Sequence, residues 1–214
     1  MRRIAIEVLL LAAAAACAHA QQWEFGGVGG GAFLNHVNVT APAGSATAGF
    51  QSGGVFGAFL GQNISSHIGG EVRYEFFQSN LELKSGGTTS TWPGQAHAIH
   101  YDLLFHTRAK SSNVQLFAAI GGGVKIFRGT GTETAAGLPL EYQYGIFTKT
   151  RALKPMADVG VGVKFPITKR VILRIEVRDF ITAFPTAVLA PPPKANYGSI
   201  LQDIVPMAGL AYEF

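Results

Sequence analysis

The chain ends in the stretch IVPMAGLAYEF, residues 204–214, whose side chains alternate between two kinds of position. The even-numbered positions are apolar and end in Tyr212 and Phe214, whereas the odd-numbered positions are mixed and end in Glu213. Successive side chains of a β-strand point to opposite faces, so a period of two predicts a strand whose faces meet different environments. Here the face that carries the aromatic residues is the apolar one.

The composition restricts the environment of this strand. The chain has 214 residues, the length of one ordinary domain, but only 14% are charged, against about 25% in an average soluble domain. After the first twenty positions no apolar run reaches the ~20 residues that a membrane-spanning helix needs. A closed β-barrel is the other structure that crosses lipid with every backbone group satisfied. The net charge of +4 is too small to indicate a nucleic-acid partner.

The first twenty residues are typical of a secretory signal peptide. Two arginines follow Met1, an apolar run fills residues 4–16, and Ala18 and Ala20 form an A-x-A cleavage site. The predicted domains are therefore a signal peptide, 1–20, and a barrel, 21–214. The single cysteine, Cys17, excludes an internal disulfide and leaves a lipoprotein with acylated Cys17 as the alternative.

Eight segments of the remaining chain have strand character, and the connections between them alternate between long and short. Facing is clear in most segments but unsettled in the second, where apolar residues occupy both parities. The four long connections, rich in Gly, Pro, Ser and Thr, are expected to be loops: 35–49, 78–95, 129–150 and 182–203. The strands are predicted near residues 23–34, 50–62, 67–77, 99–106, 114–127, 156–165, 171–178 and 204–214.

This rhythm predicts an all-β fold, an eight-stranded antiparallel up-and-down transmembrane barrel with short periplasmic turns and four longer extracellular loops. The segments have the ~9–11 residues that a tilted spanning strand needs. Both termini are then expected in the periplasm. A water-soluble barrel of the lipocalin sort would be apolar inside and polar outside. The charged and glycine-rich face of the strands is instead predicted to face the interior, with an aromatic girdle near one membrane edge: Trp23, Phe25, Phe105, Phe165, Tyr212 and Phe214.

Two stretches carry a family resemblance. The strand VGVGVKF, residues 159–165, with LRIEVRD, residues 173–179, resembles the last third of the OmpA-like and OmpX-like small outer-membrane barrels, and GLAYEF, residues 209–214, is similar to their closing strand. The resemblance implies that the barrel-assembly machinery reads Tyr212 and Phe214 as an assembly signal. We expect a monomer surrounded by outer-membrane lipid.

The charged residues on the inward face are five of each sign. Because buried charges are costly unless paired, we expect a salt-bridged network that fills the barrel. The alternative is a narrow gated path for ions or small solutes, although eight strands leave an interior only wide enough for side chains. The predicted network consists of Glu71, Arg73, Glu75, His100, Asp102, Lys125, Asp158, Lys164, Arg174, Glu176 and Arg178.

The inward parity of one strand carries His100, Asp102 and His106, residue types that occur in metal and catalytic sites. The sequence indicates no further ligand from another strand, so we expect a histidine bonded to a carboxylate, with no metal and no cofactor. No Gly-x-Ser-x-Gly motif is present, so an enzyme is not expected, and a lipid-modifying enzyme is the remote alternative. The expected function is structural or surface-interacting, and the connections 129–150 and 182–203 are expected to protrude as a sheet or to form a surface that binds an unidentified partner.

Overall fold

The computed structural model describes residues 22–107, 114–131 and 140–214, which form fifteen β-strands. No helix in these ranges is long and apolar enough to span a membrane. The predictions for the signal peptide, its Ala18–Ala20 cleavage site and Cys17 lie outside the described residues. The strands are Gln22–Leu34 (β1), His36–Ala41 (β2), Gly44–Phe50 (β3), Gly53–Asn63 (β4), Ile68–Gln78 (β5), Leu81–Ser85 (β6), Thr88–Trp92 (β7), Gly94–His106 (β8), Gln115–Gly129 (β9), Ile146–Phe147 (β10), Arg151–Pro166 (β11), Val171–Ala183 (β12), Leu189–Ala190 (β13), Asn196–Tyr197 (β14) and Ile200–Glu213 (β15).

Eight strands form a closed antiparallel barrel in the order β1-β15-β12-β11-β9-β8-β5-β4. The prediction of an eight-stranded antiparallel barrel is confirmed. The C-terminal strand closes it, because β15 pairs with β1 on one side, where Tyr212 lies opposite Phe25, and with β12 on the other. We call the end that carries Gln22, Phe214 and the short turns 64–67 and 167–170 the short end, and the opposite end the long end.

The outer surface of the barrel is apolar, as the alternation predicts. Val159, Val161, Ile175 and Val177 of neighbouring strands all face outward and are exposed. The unsettled second strand, β4, follows the same rule: its outward side chains, such as Phe56, are exposed, whereas Val55 and Phe59 are buried. Apolar residues occupy both parities of β4 because its inward side chains also pack against apolar side chains in the interior.

The structure corrects the expectation that residues 35–49 and 78–95 are loops. They contain β2, β3, β6 and β7, which join β14 in a five-stranded sheet of order β14-β2-β3-β6-β7 at the long end, here called the platform. Gly86 and Gly87, with φ of 56° and 82°, make the tight β6–β7 turn, which favours residues that tolerate positive φ. The connection 182–203 adds β13 and β14, and β13 pairs with β10 of the connection 129–150.

The platform and the adjoining strand ends enclose an apolar core at the long end, here called the cap. Its rings pack in pairs: Phe50 and Phe127 have centroids 5.2 Å apart, and Trp92 stacks on Phe147 at 6.1 Å. Removing these side chains from water is the main favourable contribution to such a core. The cap consists of Phe50, Phe77, Leu81, Leu83, Trp92, Phe127, Phe147, Phe180, Val188 and Leu189.

Candidate functional site

The predicted interior residues all lie inside the barrel. Each is at most 3% exposed: Glu71, Arg73, Glu75, His100, Asp102, Lys125, Asp158, Lys164, Arg174, Glu176 and Arg178. They come from five strands, and within a strand they occupy alternate positions, which point to the same face. Nine of them form one connected group, here called the central network, whereas Lys125 and Lys164 form separate pairs.

Arg178 is at the centre of the network. One terminal nitrogen donates to Asp102 Oδ2 at 2.7 Å and to Asp158 Oδ2 at 2.9 Å, and the other donates to Glu71 Oε1 at 2.6 Å. The guanidinium group therefore connects β12 with β8, β11 and β5. A planar group with several donors suits this role, since each donor has a fixed direction.

Two further arginines bind opposite walls of the barrel to each other, because β5 and β12 are four positions apart in the ring of eight strands. Arg73 of β5 donates to Glu176 of β12 at 2.7 Å. Arg174 of β12 donates to Glu71 of β5 at 2.6 Å. Hydrogen bonds between charged groups are the strong ones, and these cross the full width of the interior.

His100 is held by carboxylates on both ring nitrogens. Nδ1 lies 2.7 Å from Asp102 and 3.2 Å from Asp158, and Nε2 lies 2.7 Å from Glu75. Both nitrogens are donors only in the imidazolium form, so the geometry indicates a charged ring. A histidine bonded to carboxylates was the sequence expectation for this residue.

The structure also supplies the further ligand that the sequence did not indicate. Ligand atoms of His100, Asp102 and Asp158 lie within 4.8 Å of one another, a number and type of donors that a metal site requires. Both carboxylates, however, already accept hydrogen bonds from Arg178. A cation there would be placed against a buried guanidinium, so the arrangement fits an ion-pair network better than a metal centre. His106 lies apart from these three residues and packs near Phe117, with ring centroids 6.3 Å apart.

One ion pair lies on each side of the central network along the barrel axis. Lys164 donates to Glu24 at 2.9 Å towards the short end. Lys125 donates to Asp203, and its Nζ lies 3.6 Å from the centroid of the Phe77 ring, where the cap begins. The sequence prediction placed Asp203 at the end of a loop and missed it as an interior residue. Asp203 shares its parity with the inward-facing Val205, whereas Ile204 between them faces outward, and this alternation was the signal available in the sequence.

Glycines on the inner face make room for the charged side chains. A Cβ on Gly160 would lie 2.3 Å from Cδ of Arg178, and one on Gly121 would lie 1.9 Å from Oδ1 of Asp102. Any larger residue at these positions would therefore displace the network. The glycine-rich inner face of β9 and β11 is the complement of long charged side chains on β8 and β12.

The predicted assembly signal lies at the closing seam of the barrel. Tyr212 faces outward and its hydroxyl accepts a hydrogen bond from Arg170 at 2.9 Å. The amide of Phe214 donates to the carbonyl of Trp23 at 3.1 Å, and the Phe214 ring is exposed. Both aromatic residues are thus presented on the outer surface at the short end.

Comparison with known proteins identifies the class of protein. The family described as outer membrane protein beta-barrel domain matches residues 8–198, and this chain belongs to that family. No sequence among the curated proteins matches it significantly. The protein is therefore a bacterial outer-membrane β-barrel protein.

Solved structures with the same fold include three outer-membrane proteins. Neisserial surface protein A has a TM-score of 0.55 at 11% identity, covering 90% of this chain and 97% of that one. OprG from Pseudomonas aeruginosa has a TM-score of 0.55 at 14% identity, covering 89% and 95%. A major outer membrane protein from Thermus thermophilus has a TM-score of 0.51 at 15% identity, covering 92% and 100%. At these identities the similarity concerns the fold alone.

Proposed function

We propose that this protein is a closed outer-membrane barrel that anchors the platform at the cell surface, where the platform binds a polar partner. One observation carries the proposal: side chains fill the interior in two successive regions along the barrel axis. The central network fills the middle with side chains that are at most 3% exposed, and the cap fills the long end with packed rings. Such a filling favours a rigid anchor over a water-filled path.

The proposed orientation follows from the connections. Transmembrane barrels have short periplasmic turns and longer outer connections, so both termini and the short end are assigned to the periplasm. The platform then lies outside the cell, and the barrel is a monomer embedded in outer-membrane lipid. The exposed Tyr212 and Phe214 are the proposed signal for the barrel-assembly machinery.

The outward face of the platform is polar. One row of directly paired residues crosses four strands as Asn38, Thr47, Lys84 and Thr89, and hydroxyl and amide groups dominate it. Such an array of hydrogen-bonding groups on a sheet suits a partner with polar groups of its own. The inner face of the same sheet is held by the cap, which keeps this array rigid.

Electrical recording tests the closed interior. We expect no stepwise conductance when the purified protein is reconstituted in planar bilayers, whereas a porin inserted by the same protocol conducts. Stepwise conductance that Arg174→Ala changes would assign ion transport instead and overturn the anchor proposal.

Surface labelling tests the orientation. In a Cys17→Ala background, Thr89→Cys on the platform and Lys169→Cys in the β11–β12 turn place single thiols at opposite ends, both at exposed positions. A membrane-impermeant maleimide added to intact cells is expected to label Thr89→Cys only. Labelling of Lys169→Cys alone would reverse the proposed orientation.

A further inference from the structure

Two arginines lie side by side on the outer surface near the long end. Arg128 of β9 and Arg151 of β11 are directly opposite each other in the strand register, and both are exposed. Side chains opposite each other in an antiparallel pair have Cβ atoms about 4.5–5.5 Å apart. Like charges at that distance destabilise a sheet. An anion bound between the two guanidinium groups would remove this repulsion.

Neither arginine is neutralised within the described part of the chain. Among the residues that the structure describes, neither guanidinium makes an ion pair or a side-chain hydrogen bond, although the buried arginines of the same barrel make several each. Lys149, two residues before Arg151, is a third exposed cation nearby in the chain. Among the described residues, no ion pair offsets the positive charge of the two arginines.

The pair marks the edge of the lipid-facing surface. The next pair on the same face, towards the middle of the barrel, is Leu153 opposite Ile126, and Leu153 is 62% exposed. An apolar row thus borders the arginine row directly. This is the position of lipid headgroups relative to a transmembrane barrel, at the boundary between the apolar band and water.

A second, separate feature on the same face also suits a headgroup. Gln95 is paired with Arg128 in the register, and its side-chain amide lies 3.2 Å from Nε2 of His97. Nδ1 of His97 lies 2.8 Å from the hydroxyl of Tyr74. These three polar side chains form a ladder on the outer surface of β5 and β8, where an apolar surface would be expected. It provides donors and acceptors for hydroxyl and amide groups next to the two cations.

We infer that Arg128 and Arg151 together bind a phosphate group of a membrane lipid. The forked guanidinium groups match phosphate oxygens in a bidentate way, and the phosphate removes the repulsion between the two cations. The inference rests on the proposed orientation in naming the source: the outer leaflet, whose lipopolysaccharide carries phosphates on a sugar disaccharide. The Gln95–His97–Tyr74 ladder then faces the sugar and amide groups of that disaccharide.

Binding of purified lipid to the purified barrel in neutral detergent tests the inference. We expect diphosphoryl lipid A to bind and to raise the Tm, as measured by native mass spectrometry and a thermal melt. The double variant Arg128→Gln/Arg151→Gln is expected to bind at least about tenfold more weakly, because it loses the charge-assisted bonds. Arg170→Gln, which removes an exposed arginine at the short end, is the matched control and is expected to bind as the unchanged protein does.

Three results would overturn the inference. The first is equal binding of diphosphoryl lipid A by the double variant and the unchanged protein. The second is equal binding of lipid A from which both phosphates have been removed. The third is displacement of bound lipid A by an equal concentration of inorganic phosphate, which would show that the site binds free phosphate. The platform proposal can fail independently of this inference, because the cysteine labelling reports the orientation of the barrel whatever group binds these arginines.

Discussion

The middle of the barrel and its long end fill the same interior in opposite ways. In the middle, Arg73, Arg174 and Arg178 share five carboxylates, and His100 completes the network. At the long end, packed rings such as Phe50 and Phe127 replace charges. The comparison shows that the interior changes from ionic to apolar along the barrel axis, where the platform joins the barrel strands.

The reason is a reversal of polarity between the two regions. Where lipid surrounds the barrel, the apolar side chains of each strand face outward, so the polar ones remain for the interior. In the platform, Asn38 and Thr40 face outward and Val37 and Val39 face inward, which is the rule for a sheet with one face in water. The outer environment thus decides which half of the alternation is buried.

The largest predicted effect comes from breaking the ionic region. Arg178→Met removes the guanidinium group and leaves Asp102, Asp158 and Glu71 buried with fewer cations. Losing one partner of a buried ion pair costs about 3–5 kcal/mol, and three carboxylates put this variant at the upper end. The free energy of unfolding, from urea titration of the barrel in lipid vesicles, is the measurement.

A second substitution distinguishes charge from packing as the cause. Adding Asp158→Asn to Arg178→Met removes one uncompensated carboxylate and is expected to restore part of the lost stability. Arg170→Met, at an exposed turn, should change it little. If the double variant is no more stable than Arg178→Met, the uncompensated carboxylates are not the cause of the lost stability.

Breaking the apolar region should cost no more than breaking the ionic region, and its effect should be more local. Phe50→Ala leaves a cavity where the ring packs 5.2 Å from Phe127, and such truncations cost about 3–5 kcal/mol. Because Phe50 belongs to the platform, we expect amide hydrogen exchange to rise in β2, β3 and β6 while the barrel strands stay protected. Phe56→Ala, which removes an outward ring from the same chain region, is the control. Uniform exchange throughout the barrel would show that the two regions are one cooperative unit.

The smallest effect is a pH dependence confined to the platform. Burial raises the pKa of Glu82, but hydrogen bonds from Lys84, Gln51 and His36 outweigh it and hold the pKa below its ordinary value. The carboxylate therefore stabilises the platform above that ordinary value, and the contribution is lost as the pH falls towards the lowered pKa. We expect a loss of about 1 kcal/mol, since the partners are partly exposed.

Tryptophan fluorescence measures this change, because Trp92 lies in the platform next to Phe147. Trp23→Phe removes the fluorescence of the short end. In this background, acidification from about pH 6 to about pH 3 should shift the emission of Trp92, because this range spans the ordinary carboxyl pKa. The shift should be smaller in Glu82→Gln, which carries no ionisable group at this position. An identical shift in both proteins would assign the pH dependence to another group.

Alternation predicted much of the fold because each spanning strand separates lipid from a polar interior. The inward facing of Arg174, Glu176 and Arg178 could be deduced from their spacing alone. The platform strands were missed because their outward residues are Thr, Ser, Asn and Gly, which are also typical of loops. The alternating Leu81 and Leu83 before the Gly86–Gly87 turn were a usable signal for a hairpin.

The sequence by itself determined that the chain is an outer-membrane barrel and that most of its charged strand residues face inward, because a period of two is a local property of the strand. Only the tertiary structure decided which partners those side chains meet. Arg73 and Glu176 are 103 positions apart and come together because closing the barrel places β5 opposite β12. The same closure brings Arg128 beside Arg151 on the outer surface. Strand order and register, which join distant segments, determine these contacts.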